Sequence, residues 1–142
     1  MAIKLGMDAK LYYKTGGQGG GGSWNELSNA KDVTLNLETG EADVTTRANS
    51  GWRATVGTLK EASVEFEMVW DTADAGFTAI KNAFFNNEMI GLRVLDGDGG
   101  QGLQADFSIT NFSRSEPLEE AITVSVTAKV TYSDTPPSWT GG

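Results

Sequence analysis

Residues 122–131 read Ile122-Thr-Val-Ser-Val-Thr-Ala-Lys-Val-Thr131, and apolar and polar side chains alternate through the run without a break. Ile122, Val124, Val126, Ala128 and Val130 fall on one side; Thr123, Ser125, Thr127, Lys129 and Thr131 fall on the other. Successive side chains of a strand point to opposite faces, so this pattern predicts a β-strand with one face in a core. Its other face must meet water or a polar partner.

The same period of two returns upstream. Val64, Phe66, Met68 and Trp70 alternate with Glu65, Glu67 and Val69, and Val33, Leu35 and Leu37 alternate with Thr34, Asn36 and Glu38, predicting two further strands that cover the core. Asp8–Lys14 reads as a first short strand, and strands near 89–95 and 103–112 flank the turn Asp96-Gly-Asp-Gly-Gly-Gln-Gly102. Between two of the core strands lies a polar stretch, Thr39–Leu59, which predicts a long β-arm over about residues 43–60. Residues 16–22 hold six glycines in seven positions, with little side chain to pack and much backbone entropy to lose, so a mobile loop or hairpin tip is expected. At Asp71 the period changes. Ala73, Phe77, Ile80 and Phe84 make one helical stripe, predicting a single helix over about residues 72–86, with Asp71 as its cap, Asp74 near its positive end and Asn86-Asn87 as its stop. After residue 134, Pro136 and Pro137 are expected to keep a short polar tail, 135–142, out of the sheet.

The chain is 142 residues long, enough for one domain, here residues 1–134. With 18 glycines and 3 prolines, a β-rich fold is favoured over a helical bundle or a proline-rich disordered chain. No cysteine and no histidine occur, which removes thiol nucleophiles, Ser-His-Asp triads and the usual zinc sites and general base. A formal charge of −8 disfavours loose attraction to nucleic acid or anionic lipid. The opening Met-Ala-Ile-Lys-Leu-Gly-Met-Asp carries no apolar run of signal or membrane-span length, so no membrane partner is expected.

Few motifs suggest chemistry. The glycine run fits G-x-G-x-x-G only as any glycine run does, and no Lys-Ser or Lys-Thr follows it. Asp96 and Asp98 begin like a calcium loop, but Gln101 stands where the loop needs glycine and no glutamate closes it, so a plain hairpin turn is the better reading. Glu65 and Glu67 lie on one strand face about 7 Å apart, near the carboxylate separation of inverting glycosidases, yet no flanking cleft is legible. No catalytic, cofactor or metal residue is assigned. Arg47, Trp52 and Arg53, in an arm with little core of its own, have the composition of a protein–protein contact, the alternative being a hairpin folded back on its own domain.

The segment Asp43-Val-Thr-Thr-Arg-Ala-Asn-Ser-Gly-Trp-Arg-Ala-Thr-Val-Gly-Thr-Leu-Lys-Glu-Ala-Ser-Val-Glu-Phe66 resembles the arm of phage major tail tube proteins, above all in Gly51-Trp52-Arg53, Leu59 and Ser63-Val64. Pro-Leu-Glu-Glu (117–120) ahead of a long Thr/Val strand is a second similarity, and the likeness runs from about residue 8 to 134; the glycine loop has no match in it. The resemblance implies a β-sandwich or barrel with one packed helix and a long β-arm. It also implies six copies to a ring and stacked rings forming a tube that conducts DNA out of the capsid, a fold shared with tubes of contractile injection systems. The partners implied are further copies, other tail proteins such as the tape measure, terminator and baseplate, and DNA passing without specific binding. The location implied is the virion tail, with assembly in the host cytoplasm. Arg47, Trp52, Arg53 and Leu59 would then lie between subunits, and Glu65, Glu67, Thr123, Ser125, Thr127 and Lys129 would be candidates for the lumen. Read without the resemblance, a carbohydrate-binding or adhesin-like β-sandwich is the alternative.

Overall fold

The computed structural model describes residues 3–141; Met1, Ala2 and Gly142, which belong to the expected start and tail, lie outside the described residues. In chain order the elements are β1 (Lys10–Thr15), β2 (Asn25–Glu26), β3 (Ala30–Asp43), β4 (Thr55–Val69), α1 (Ala75–Phe85), β5 (Ile90–Leu95), β6 (Gly102–Ser115), β7 (Thr123–Val130) and β8 (Ser138–Thr140). The strands form one sheet in the order β2-β1-β5-β6-β7-β4-β3, with β8 added beside β6. That sheet curls into a half-barrel, so the expected mainly β fold with one helix and a β-arm holds.

The alternation in β7 and β4 does what its period predicts. Val124, Val126 and Ala128 pair with Met68, Phe66 and Val64 across the two strands, and all six are buried. Phe107, Ile90 and Leu92 continue the core along β6 and β5. Each fully buried large side chain of this set contributes about 1.5–3 kcal/mol. Helix α1 closes the concave side: Phe77 meets the Trp70 ring edge-on at 4.7 Å, and Phe84 stacks on Phe112 at 6.0 Å.

Several expectations are corrected. The helix begins at Ala75, because the Asp74 carboxylate accepts the Phe77 N–H at 2.9 Å and so caps it; Asp71 instead accepts from Ala73 N–H in the preceding turn, and Ala73 is exposed. Asn87 makes the expected left-handed stop with φ 52°. β3 does not cover the core as its alternation suggests: Leu35 is half-buried, while Val33 and Leu37 are 36% and 54% exposed. Val33 falls in the register shift between Lys31 and Thr34, and Leu37 pairs with Ala62 just beyond the point where β7 stops pairing with β4, whereas Leu35 between them packs against the core. The prolines do not keep the tail out of the sheet. Ser138–Thr140 returns as β8 and pairs with Gly102–Gln104 of β6.

The glycine run is not simply a free tip. Gly17 and Gln18 are buried, and the loop lies on the sheet's outer face over Gly91, where an added Cβ would stand 3.0 Å from Trp24 and 3.1 Å from the Gln18 nitrogen. Only glycine at position 91 lets the loop come this close.

Candidate functional site

β7 stops pairing with β4 at Ser63–Lys129, yet β3 and β4 run on together to Asp43–Thr55. The hairpin therefore projects beyond the sheet by the length of residues 55–62, about 25 Å at strand rise. A register shift between Thr39 and Glu41 marks a bulge that adds a residue to β4 around Thr58-Leu59. Such a bulge twists the ribbon and turns its side chains.

At the tip, Thr45 Oγ1 accepts from Ala54 N–H at 2.8 Å and Thr45 N–H donates to the Asp43 carboxylate at 2.8 Å; the Thr45 hydroxyl first, and this backbone bond second, hold the Asp43 carboxyl below its ordinary range. A 3-10 turn follows at Arg47–Asn49, capped by Thr46 Oγ1, which accepts from Ala48 N–H. Ser50 and Gly51 then both take positive φ, 53° and 87°, and turn the chain at Trp52. Trp52 is 78% exposed, with Arg47 and Arg53 exposed in the same tip, while Leu59, 84% exposed, lies back along the arm at the bulge. Leu37, Val44 and Val56 are also exposed along the arm. A two-stranded ribbon is marginal alone, and contiguous exposed apolar side chains mark a contact surface.

Below the arm, the register lays polar side chains in rows across four strands. Thr34, Glu65, Thr127 and Asn111 are cross-strand neighbours; so are Lys31, Glu67, Ser125 and Ser113, and Asn36, Ser63, Lys129 and Ser108. Thr123 ends the set beside Val69 and Ser115. The six expected lumen residues thus share one face, and a shallow hollow of ≈ 320 Å³ lies between Asp32, Glu65, Glu67, Ser125 and Thr127. Toward the arm the same face adds Glu38 and Glu61, directly opposite one another. That makes four glutamates against Lys31 and Lys129.

The other half of this outer face is covered by the chain itself. Asp106, 2% exposed, accepts the Gln18 N–H at 2.5 Å and the Ser133 hydroxyl. The Gln18 side chain donates to Thr135 O and accepts from Gln104, which in turn accepts from Arg93, and Arg93 lies 4.4 Å over the Trp24 ring. This network ties the glycine loop and the C-terminal segment to β5 and β6. Sequence reasoning missed it, because Asp106 reads as an ordinary polar-face residue until the loop comes to lie on it. The Glu38–Glu61 pairing was missed too, since the bulges fix the register and leave no sequence signal.

Neither alternative chemistry gains from the geometry. Glu65 and Glu67 sit on an open strand face, with Thr and Ser neighbours instead of a cleft. The aromatics a sugar binder would line up are dispersed: Trp24 lies under Arg93, Trp52 is at the arm tip and Trp139 is on β8. The turn at 96–101 is a hairpin connection in which Asp96 Oδ1 accepts from Gln101 N–H.

A family model described as phage tail tube protein matches residues 6–132. No curated protein matches the chain. Among solved structures, the chain is similar to a protein in the tail of an empty gene transfer agent particle, computed with helical refinement and C6 symmetry: identity is 20%, TM-score 0.78, and the match covers 98% of this chain and 100% of that one. It is similar to the tail tube of SPP1 at 19% identity and TM-score 0.73, over 99% of this chain and 80% of that one. A chain of the anti-feeding prophage baseplate is similar at TM-score 0.63 and 6% identity, over 99% and 97% of the two chains. At these identities the three likenesses are likenesses of fold.

Proposed function

The chain belongs to the phage tail tube protein family, a family of structural proteins and not of enzymes, and from that premise we propose that it closes into six-membered rings that stack as a hollow conduit for DNA. One observation carries this reading: the half of the outer face that the chain leaves bare adjoins the arm for which it has no cover, and both rest on β3 and β4. A protein that covers one half of a sheet face and leaves the other bare and polar is suited to present it to a water-filled channel. An arm with exposed Trp52 and Leu59 needs a second copy to bury them.

Four strands per copy carry the bare face: β3, β4, β7 and the distal part of β6. Six copies would then give a barrel of about 24 strands, roughly 48 Å across the backbone at 4.8 Å spacing and about 40° tilt. Side chains narrow that to roughly 38 Å, room for a duplex. The excess of glutamates on this face repels phosphates and lets DNA slide. Arg47, Trp52, Arg53 and Leu59 act at the contact between copies; a heterologous contact that does not close along the axis generates a filament. The work is done in the virion tail after assembly in the host cytoplasm, and the tube's ends meet the tape measure, terminator and baseplate.

Negative-stain microscopy of the purified protein at rising concentration tests the reading. Rings or hollow tubes are expected. A species that stays monomeric at high concentration, under every ionic condition tried, would contradict it.

A further inference from the structure

Resting on the reading of a self-assembling tube, the geometry points to the element that receives the arm tip: the β6–β7 turn of a copy in the next ring, with Leu118 packed on Trp52 and with Glu119 and Glu120 against Arg47 and Arg53. Topology sets tip and turn at opposite ends of one wall. The arm leaves the bare face toward Asp43 and Thr55, while Val69, Thr123 and Ser115 end the same strands at the other side. From Thr55 to Val69 the strand spans about 45 Å, so no arm reaches the turn of its own chain. Rings that stack head to tail set the arm end of one against the turn end of the next, and each copy then gives one tip and takes one.

The turn presents an apolar anchor that its own subunit does not use. Pro117 O accepts the Glu120 N–H at 3.4 Å, which puts Leu118 and Glu119 at the two corners of a four-residue turn. Leu118 is 98% exposed. The other two connections at this end of the bare face offer nothing similar. In 27–29 Leu27 is buried, and in 70–74 Trp70 is half-buried beneath Arg114, which lies 5.0 Å from its ring. A leucine wholly in water adds nothing to the fold of its own chain, whereas against the exposed indole of Trp52 it removes apolar area of both partners from water.

Charge is segregated along the chain in the same sense. In a chain of net charge −8, residues 44–60 hold Arg47, Arg53 and Lys60 and no carboxylate, whereas residues 115–121 hold Glu116, Glu119 and Glu120 and no cation. Arg114 binds Glu116 at 3.3 Å, which leaves Glu119 and Glu120, the two that follow Leu118, for the guanidiniums of the tip. Arginine favours such contacts because its planar fork matches a carboxylate. The glutamates of the bare face suit the tip less well: Glu65 and Glu67 stand among Thr and Ser side chains, so an arm laid there would leave Trp52 without an apolar partner.

The absence of native cysteine makes the test clean. In an Arg53→Cys/Glu119→Cys variant a disulfide within one chain is impossible at that separation, since it needs Cα atoms within about 7 Å. Oxidised tubes of this variant should run as a ladder of covalent multimers that reductant collapses, with no ladder from either single variant. Tubes of normal appearance that stay monomeric on the gel under oxidation would overturn the docking site while leaving the tube reading intact; failure of the wild-type chain to form tubes would instead overturn the tube reading. If the cysteine variant does not assemble, the anchor and the charges decide. Leu118→Ser should leave the melting temperature of the monomer unchanged and raise the concentration needed for tubes about tenfold. Glu119→Arg/Glu120→Arg and Arg47→Glu/Arg53→Glu should each block assembly, and the four changes together should restore it. Normal assembly by Leu118→Ser or by either double variant, or no rescue by the combination, would overturn the pairing.

Discussion

Trp52 stands beyond two consecutive left-handed residues, Ser50 and Gly51, and touches little of its own subunit, so truncating it should leave the fold unchanged and weaken assembly alone. A buried aromatic anchor is worth about 2 kcal/mol or more, so Trp52→Ala should raise the protein concentration needed for pelletable tubes about thirtyfold. Thermal unfolding of the monomer should not move; a lowered melting temperature with unchanged assembly would place Trp52 in the fold instead. Asp106 is the opposite case. Its carboxylate accepts from the Gln18 N–H and the Ser133 hydroxyl, both brought to it from distant parts of the chain. Asp106→Ala leaves those donors unsatisfied and should cost about 1–3 kcal/mol in urea unfolding, while Asp106→Asn, which keeps one acceptor, should cost less. Equal stability of all three proteins would show that the network does not hold the loop. Trp52 could be singled out from its neighbours Arg47 and Arg53, whereas the burial of Asp106 had no signature, because strand alternation marks only which residues leave the core face.

Among the elements, β3 and β7 carry equally clear alternation and meet different fates. β7 lies between β6 and β4 with α1 and the core beneath it, whereas β3 is an edge strand paired on one side, and from Asn36 onward it leaves the core for the arm. Sequence period reports which side of a strand is apolar, and it cannot say whether the cover for that side comes from the same chain. In the unassembled subunit, amides of residues 36–43 and 55–62 should exchange hydrogen well before those of 123–130, and those of the tip, 44–54, first of all. Assembly should protect all three. Monomer protection of the arm equal to that of β7 would mean that it needs no partner. The other differences at this scale have local causes. A helix start moves from Asp71 to Asp74 because the Asp71 carboxylate reaches only the amide two residues on, at Ala73, whereas that of Asp74 reaches the amide three residues on, at Phe77. β8 escaped notice because a three-residue strand after two prolines has too few positions for a period to show.

For the whole molecule, the half-barrel is a curled sheet whose outer face is closed by its own chain at the glycine loop and open from β6 to β3. The expectation of a mainly β fold with one helix and an arm was legible because the core strands, helix stripe and polar arm each keep a distinct period. The division of the outer face was not, since it depends on where residues 16–24 and 131–135 come to rest. Glu65→Lys/Glu67→Lys should leave ring and tube formation intact and convert a sliding channel into one that retains DNA at low salt and releases it as salt rises, through counterion release. DNA retention unchanged at low salt would put these side chains outside the channel.

A cryo-electron microscopy reconstruction of tubes grown from the purified chain tests the central claim most directly. The account predicts sixfold rings in which Glu65, Glu67, Ser125 and Thr127 face a lumen wide enough for duplex DNA and each arm crosses into a neighbouring copy. Tubes with that face turned outward, or with every arm folded on its own subunit, would contradict it.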